Sequence, residues 1–231
     1  TKEGTQKQVK AKLFILAAQA VESSRLLLNS KNEAFPNGLA NSSGAVGKNL
    51  LFSGGGMGSG EFDVSHFSQE VLLQPGLFVN RALKDWYFTP KFKGGLIDFL
   101  FEHANPIRRA NALKWEDDKL IFGQKLQDKI FQTFTTTRVL NFEIFNDWMP
   151  NDNCFVFVDE KYKDKYGIPV ANVRIGAHPE DVRVGEFLAT KAVQLLKRMR
   201  AKNITYTISP LPSQNLQAAG CRFGDNPKKH V

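Results

Sequence analysis

Residues 137–146 read Thr137-Arg138-Val139-Leu140-Asn141-Phe142-Glu143-Ile144-Phe145-Asn146, and their alternation decides the fold class. Val139, Asn141, Glu143 and Phe145 fall on one face of an extended chain, and Leu140, Phe142 and Ile144 on the other. Period two with turn-linked neighbours predicts an antiparallel sheet with one buried face. Outward from this segment, strands are expected at 69–73, 95–102, 155–159 and 170–175, with a helix at 125–134 among them. Most of the 19 Phe lie in this region and read as core.

Residues 179–202 form the clearest helical pattern. Pro179 suits the first helical position, and Glu180 and Asp181 suit its positive end. Val184, Phe187/Leu188, Ala192, Leu195/Leu196 and Met199 recur every three or four residues, giving one apolar stripe to cover a sheet. A strand at 204–208 comes next, and Ser209 to Ser213 (SPLPS) makes a rigid connection.

The N-terminal part reads differently. Residues 1–12 suggest a polar hairpin turning at Glu3-Gly4, and 10–18 (KAKLFILAA) a short buried strand. A helix at 20–30 then completes a strand–turn–helix unit of α/β type. Ser53 to Gly60 (SGGGMGSG) reads as a flexible internal boundary and satisfies GxGxxG in no register. The expected class is α+β: an α/β edge plus an antiparallel β-sheet flanked by helices.

Composition narrows the function classes. The 231 residues, 42% hydrophobic and 23% charged, are long and balanced enough for a real core and exclude disorder. No run approaches the ~20 apolar residues of a membrane span. The +8 charge is scattered, which argues for a solvated basic surface and no nucleic-acid partner. Two cysteines make no disulfide framework. No signal peptide is visible, but Thr1 does not read as a natural start, so the compartment stays open between cytoplasm and periplasm.

Motifs for chemistry are sparse. His66, His103, His178 and His230 do not fall at metal-ligand spacing, and no metal site is expected. His103 ends a strand in Phe101-Glu102-His103-Ala104-Asn105-Pro106 and is the substrate-side candidate. No Gly-x-Ser-x-Gly elbow or Walker loop occurs, and Asp117-Asp118 and Asp147 read as solvated turn carboxylates. Two small-residue turns remain. Ala17-Ala18-Gln19-Ala20 and Ala218-Ala219-Gly220 both let backbone approach a ligand closely.

Taken in order, the stretches at the two ends resemble the glucose–methanol–choline (GMC) flavin oxidoreductases, above all bacterial sugar and sugar-acid dehydrogenases. In 13–30 (LFILAAQAVESSRLLLNS), Ser23, Ser24, Leu26, Leu27 and Ser30 match the family's second signature. Gln19 and Lys31 depart from it. Residues 36–50, 164–169 (DKYGIP) and 221–227 (CRFGDNP) are also similar, while 61–145 is the least alike. The resemblance implies an FAD-binding domain comprising 1–52 and a return segment at 214–231, joined to a substrate-binding domain at 61–208. It also implies oxidation of a CH–OH group of a sugar, polyol or related alcohol by hydride transfer to flavin, with Ala17, Ala18, Ala20 and Ser23 near the FAD.

Two departures limit what carries over. The family's phosphate-binding GxGxxG lies ahead of the region matching Thr1, and its late Asn/His-Pro segment lies beyond Val231. The family's catalytic His falls on Leu216 or Gln217, neither of which is a base, so no catalytic residue is assigned. The chain thus resembles the middle and later part of such an enzyme, partnered by the remainder of the same polypeptide or a companion chain. By itself it is expected neither to bind FAD nor to turn over. The alternative is a non-catalytic binding or assembly protein that retains the substrate-domain scaffold.

Overall fold

A computed structural model describes residues 5, 7–68, 70, 79–102 and 105–231. In chain order the described elements are α1 (Ala20–Asn29), β1 (Leu51–Asp63), β2 (Val79–Leu83), β3 (Gly95–Phe101), α2 (Pro106–Ala112), β4 (Trp115–Glu116), β5 (Lys119–Leu120), α3 (Gly123–Thr135), β6 (Thr137–Asp147), β7 (Phe155–Lys163), β8 (Pro169–Arg174), α4 (Pro179–Arg198), β9 (Lys202–Ile208) and β10 (Ser213–Ala218). Helices and antiparallel strands are mixed, an α+β arrangement. The turn expected at Glu3-Gly4 lies outside the described residues, residues 7–12 of the expected hairpin form no strand, and the strand expected at 69–73 lies largely outside the described residues.

The chain divides into two compact units, inner and outer by their order along the sequence. The inner unit comprises Gly54–Asp147 and Pro179–Pro210. Its sheet runs β9-β1-β6-β3-β2. The β3/β6 pair sets Ile97 opposite Ile144 and Phe99 opposite Phe142, so the large apolar groups share one face. Helix α4 lies on that face: Val184, Leu188, Ala189, Ala192 and Leu196 are buried against Phe62, Ile97, Phe142 and Ile144. Each large apolar side chain buried there contributes about 1.5–3 kcal/mol. The period-two expectation for β6 and the stripe expected on α4 thus meet in one core.

The glycine-rich stretch corrects the expectation of a flexible boundary. Residues 53–60 are part of the continuous strand β1, although the division between units falls between Ser53 and Gly54. The missing side chains have a packing reason. A Cβ on Gly58 would stand 2.3 Å from the ring of Phe142 and 2.4 Å from the Thr205 carbonyl oxygen. Glycine here makes room for a buried aromatic on the neighbouring strand.

The outer unit gathers Thr1–Ser53, Trp148–His178 and Leu211–Val231. It includes 148–178, which the resemblance groups with 61–208. Leu50, Phe52, Trp148, Cys154 and Val156 form its core, with Val21 of α1 packed alongside. Strands β7 and β8 form an antiparallel hairpin, and β10 pairs with the first residues of β1. The expected strand at 10–18 does not form. Those residues have no strand partner among the described residues, and Leu13, Phe14 and Ile15 are 75%, 71% and 83% exposed. An apolar run becomes a strand only where neighbouring strands take up its backbone N–H and C=O groups.

Candidate functional site

In the outer unit the two small-residue turns come together. Gln19 caps α1 with φ +69°, and its side-chain amide donates to the Gln217 side-chain oxygen. Ser24, fully buried, donates through Oγ to the Ala20 carbonyl at 2.8 Å and lies 3.6 Å from Cys221 Sγ. The Gly47 amide donates to the Gly220 carbonyl at 2.6 Å. Gly220 has φ +76°, and a Cβ there would stand 2.6 Å from Ser24 Oγ. Only glycine accepts both the left-handed backbone and that approach.

Of the residues singled out in the first turn, Ala17 and Ala18 are exposed, while Ala20 and Ser23 are partly buried. The Ala18 amide donates to Ser23 Oγ at 3.3 Å. Ala17, Ala18 and Ala219 carry nothing larger than a methyl group, so a flat ring system could lie against their backbone. The same place is not a phosphate cradle. The Val21 amide at the start of α1 is occupied by Gln19 Oε1 at 3.4 Å, and Glu22 puts a negative charge in the first turn.

The four stretches that carry the resemblance, scattered along the sequence, all belong to this unit and hold one another. Arg25 of α1 donates through Nε to the Pro169 carbonyl at 2.8 Å and through Nη2 to Asp164 Oδ2 at 2.7 Å. Asn29 adds a bond to the same carbonyl at 3.0 Å. The Arg25 bond, with amides of Ile168 and Tyr166, holds the Asp164 carboxyl below its ordinary value. Ser43 Oγ donates to the His230 carbonyl at 3.0 Å, tying 36–50 to the C-terminal segment.

The positions matching the family's catalytic His supply no base. Leu216 is exposed with φ +56°, and Gln217 is bound to Gln19. His103 lies outside the described residues. His66 is exposed, His178 immediately precedes α4, and His230 Nδ1 accepts from the Asn226 amide at 3.3 Å. Among the described residues no group of three or more His, Cys, Asp or Glu is placed to hold a metal ion, and no helix is long and apolar enough to cross a membrane.

The inner unit has a cavity that sequence reasoning missed. It has a volume of about 470 Å³ and lies on the sheet face turned away from the apolar core residues of α4. Met57 and Ser59 of β1, Asn141 and Glu143 of β6 and Thr205 of β9 line it, with Leu100 at an apolar edge. Ser59 Oγ and Thr205 Oγ1 are 3.3 Å apart. Opposite Glu143 in the β3/β6 register stands Asp98, whose carboxyl is raised above its ordinary value by burial. The alternation in 137–146 puts Asn141 and Glu143 on one face, but only cross-strand register brings them beside Ser59 and Thr205.

No protein-family model matches the chain. Over essentially its whole length it is similar to three curated proteins. It is 25% identical to 2-methyl-1,2-propanediol dehydrogenase of Mycolicibacterium austroafricanum, with 100% of this chain and 42% of that protein covered. It is 26% identical to the fructose dehydrogenase large subunit of Gluconobacter japonicus, covering 97% and 40%. Paromamine 6'-oxidase of Streptomyces fradiae is 24% identical, covering 98% and 38%. All three relatives are named as dehydrogenases or oxidases, so the chain's relationship is to oxidoreductases. It spans about two fifths of their length.

Proposed function

We propose that this chain is part of an FAD-dependent oxidoreductase that oxidises a CH–OH group of a sugar, polyol or related alcohol. The observation that carries the reading is the gathering of 13–30, 36–50, 164–169 and 221–227 into one unit, held by Arg25–Asp164, Ser24–Cys221, Gly47–Gly220 and Ser43–His230. Whole-length similarity to relatives named for a diol, fructose and paromamine supports it. In this reading the outer unit is the flavin side, and the inner unit, with its polar cavity, is the substrate side. Ala17, Ala18 and Ala20 would lie against the FAD, and Ser23 holds the turn in shape by accepting from the Ala18 amide. FAD, when bound, accepts the hydride, and the phosphate-binding residues come from the remainder of the polypeptide.

The test uses the complete polypeptide that contains this chain. It is expected to purify with stoichiometric flavin absorbance that is bleached anaerobically by a polyol. A complete polypeptide that takes up no flavin, or flavin that no alcohol bleaches, sinks the reading. A second reading, a non-catalytic scaffold protein, draws on one observation: Leu216 and Gln217 offer no proton acceptor where the family has its His. It predicts the unbleached outcome.

A further inference from the structure

The cavity of the inner unit bears on which alcohol is taken, an inference that rests on the alcohol-oxidation reading. The pleat of β6 turns Phe142 and Ile144 toward the α4 core and leaves Asn141 and Glu143 on the opposite face. Two residues apart on one strand, the amide and the carboxylate are spaced about 7 Å along the sheet. Neither is spent inside the protein: among the described residues Glu143 makes no ion pair, and neither side chain makes a hydrogen bond. Across the cavity the Ser59 and Thr205 hydroxyls lie 3.3 Å apart, within reach of one another, and Arg108 of α2 and Thr207 of β9 also border it. Asn141 and Glu143 are the polar side chains that β6 turns into this lining.

Their chemistry defines a ligand. A carboxylate only accepts hydrogen bonds, and a carboxamide both donates and accepts. An occupant that satisfies both must carry several hydroxyl groups spread over roughly that 7 Å. A simple alcohol has one hydroxyl and would displace water from the pair without replacing its bonds. That loss discriminates strongly against the poorer ligand. Leu100 and Met57 give the cavity apolar surface for the carbon face of such a molecule.

We propose that Glu143 and Asn141 are the specificity-determining pair that selects a polyhydroxylated substrate over a monohydric alcohol. They act by binding substrate hydroxyls and take no part in the hydride transfer itself.

The experiment compares erythritol, xylitol and D-sorbitol with 1-butanol, 1-pentanol and 1-hexanol as substrates of the complete flavin-loaded polypeptide. Glu143→Gln and Asn141→Ala are each expected to lower kcat/KM for the polyols about 10- to 100-fold, through KM, with kcat held within about threefold. The values for the monohydric alcohols are expected to stay within about threefold of wild type. Asp118→Asn, in the exposed turn between β4 and β5, removes the same charge outside the cavity lining and is expected to change neither series. Equal losses on both series, or no loss on either, overturn the proposal, provided that circular dichroism shows the variants folded. If the loaded polypeptide oxidises no alcohol, the alcohol-oxidation reading fails separately. Equilibrium dialysis with radiolabelled D-sorbitol then decides the cavity: binding weakened about tenfold or more by Glu143→Gln upholds it. Absent binding, or binding the variant leaves unchanged, overturns it.

Discussion

The inner and outer units handle their apolar residues in opposite ways. The inner unit covers one sheet face with one helix, and Ile97, Phe142, Leu188, Ala189, Ala192 and Leu196 are fully buried. The outer unit is drawn from three separate segments, keeps a small core around Leu50 and Cys154, and leaves Leu13 to Ile15 mostly exposed. Burying the exposed part of Leu13, Phe14 and Ile15 would contribute about 3–7 kcal/mol, a large share of the stability of a small domain. The difference teaches that the inner unit is stabilised by contacts within itself, whereas the outer unit leaves an apolar run exposed beside a small core.

The contrast can be broken most directly in the two apolar sets. Leu188→Ala is expected to cost about 2–5 kcal/mol in urea unfolding of the 231-residue chain, because it opens a cavity in a filled core. In the same chain Ile15→Ala is expected to cost under about 0.5 kcal/mol. Comparable costs at the two sites would show that the outer run is already buried and end the comparison.

A smaller effect sharpens the description of the outer unit. Gly220→Ala forces a Cβ against Ser24 Oγ at a left-handed backbone, and is expected to lower stability by about 2–3 kcal/mol. A neutral result would mean that the two turns are not pressed together as described.

The smallest expected effect is electrostatic. Asp164 is held below its ordinary value of 3.8, chiefly by Arg25. A carboxylate with a lowered native value stabilises the fold above its unfolded value, and the contribution fades as pH drops through the native one. Asp164→Ala is therefore expected to lower the melting temperature at neutral pH, with the gap to wild type closing below about pH 4. A gap that stays constant down to pH 2 would assign the loss to packing.

Elements with strong internal periodicity are legible without the structure: β6 from its alternation and α4 from its stripe and acidic first turn. Residues 53–60 are not. Their glycines carry the composition of a linker, and the reason for them is the Phe142 ring on another strand. Residues 10–18 have the composition of a buried strand, but pairing depends on neighbours that no local pattern reveals. For the sites, the turns at Ala17–Ala20 and Ala218–Gly220 stand out in the sequence as small residues. Their meeting through Ser24 and Cys221, 197 positions apart, does not. Asn141 and Glu143 look like ordinary outward-facing residues of a strand until β1 and β9 close the cavity around them.

The interleaving of the two units also sets an order of events during synthesis. All of the inner unit has been translated once Pro210 emerges from the ribosome. The outer unit still lacks the Gly220 carbonyl that receives the Gly47 amide and the His230 carbonyl that receives Ser43. Ser43 and Gly47 must wait for residues made about 170 to 190 positions later before they close. Within this stretch the segment in the middle can therefore close before the segments that flank it, against the N-to-C direction of synthesis.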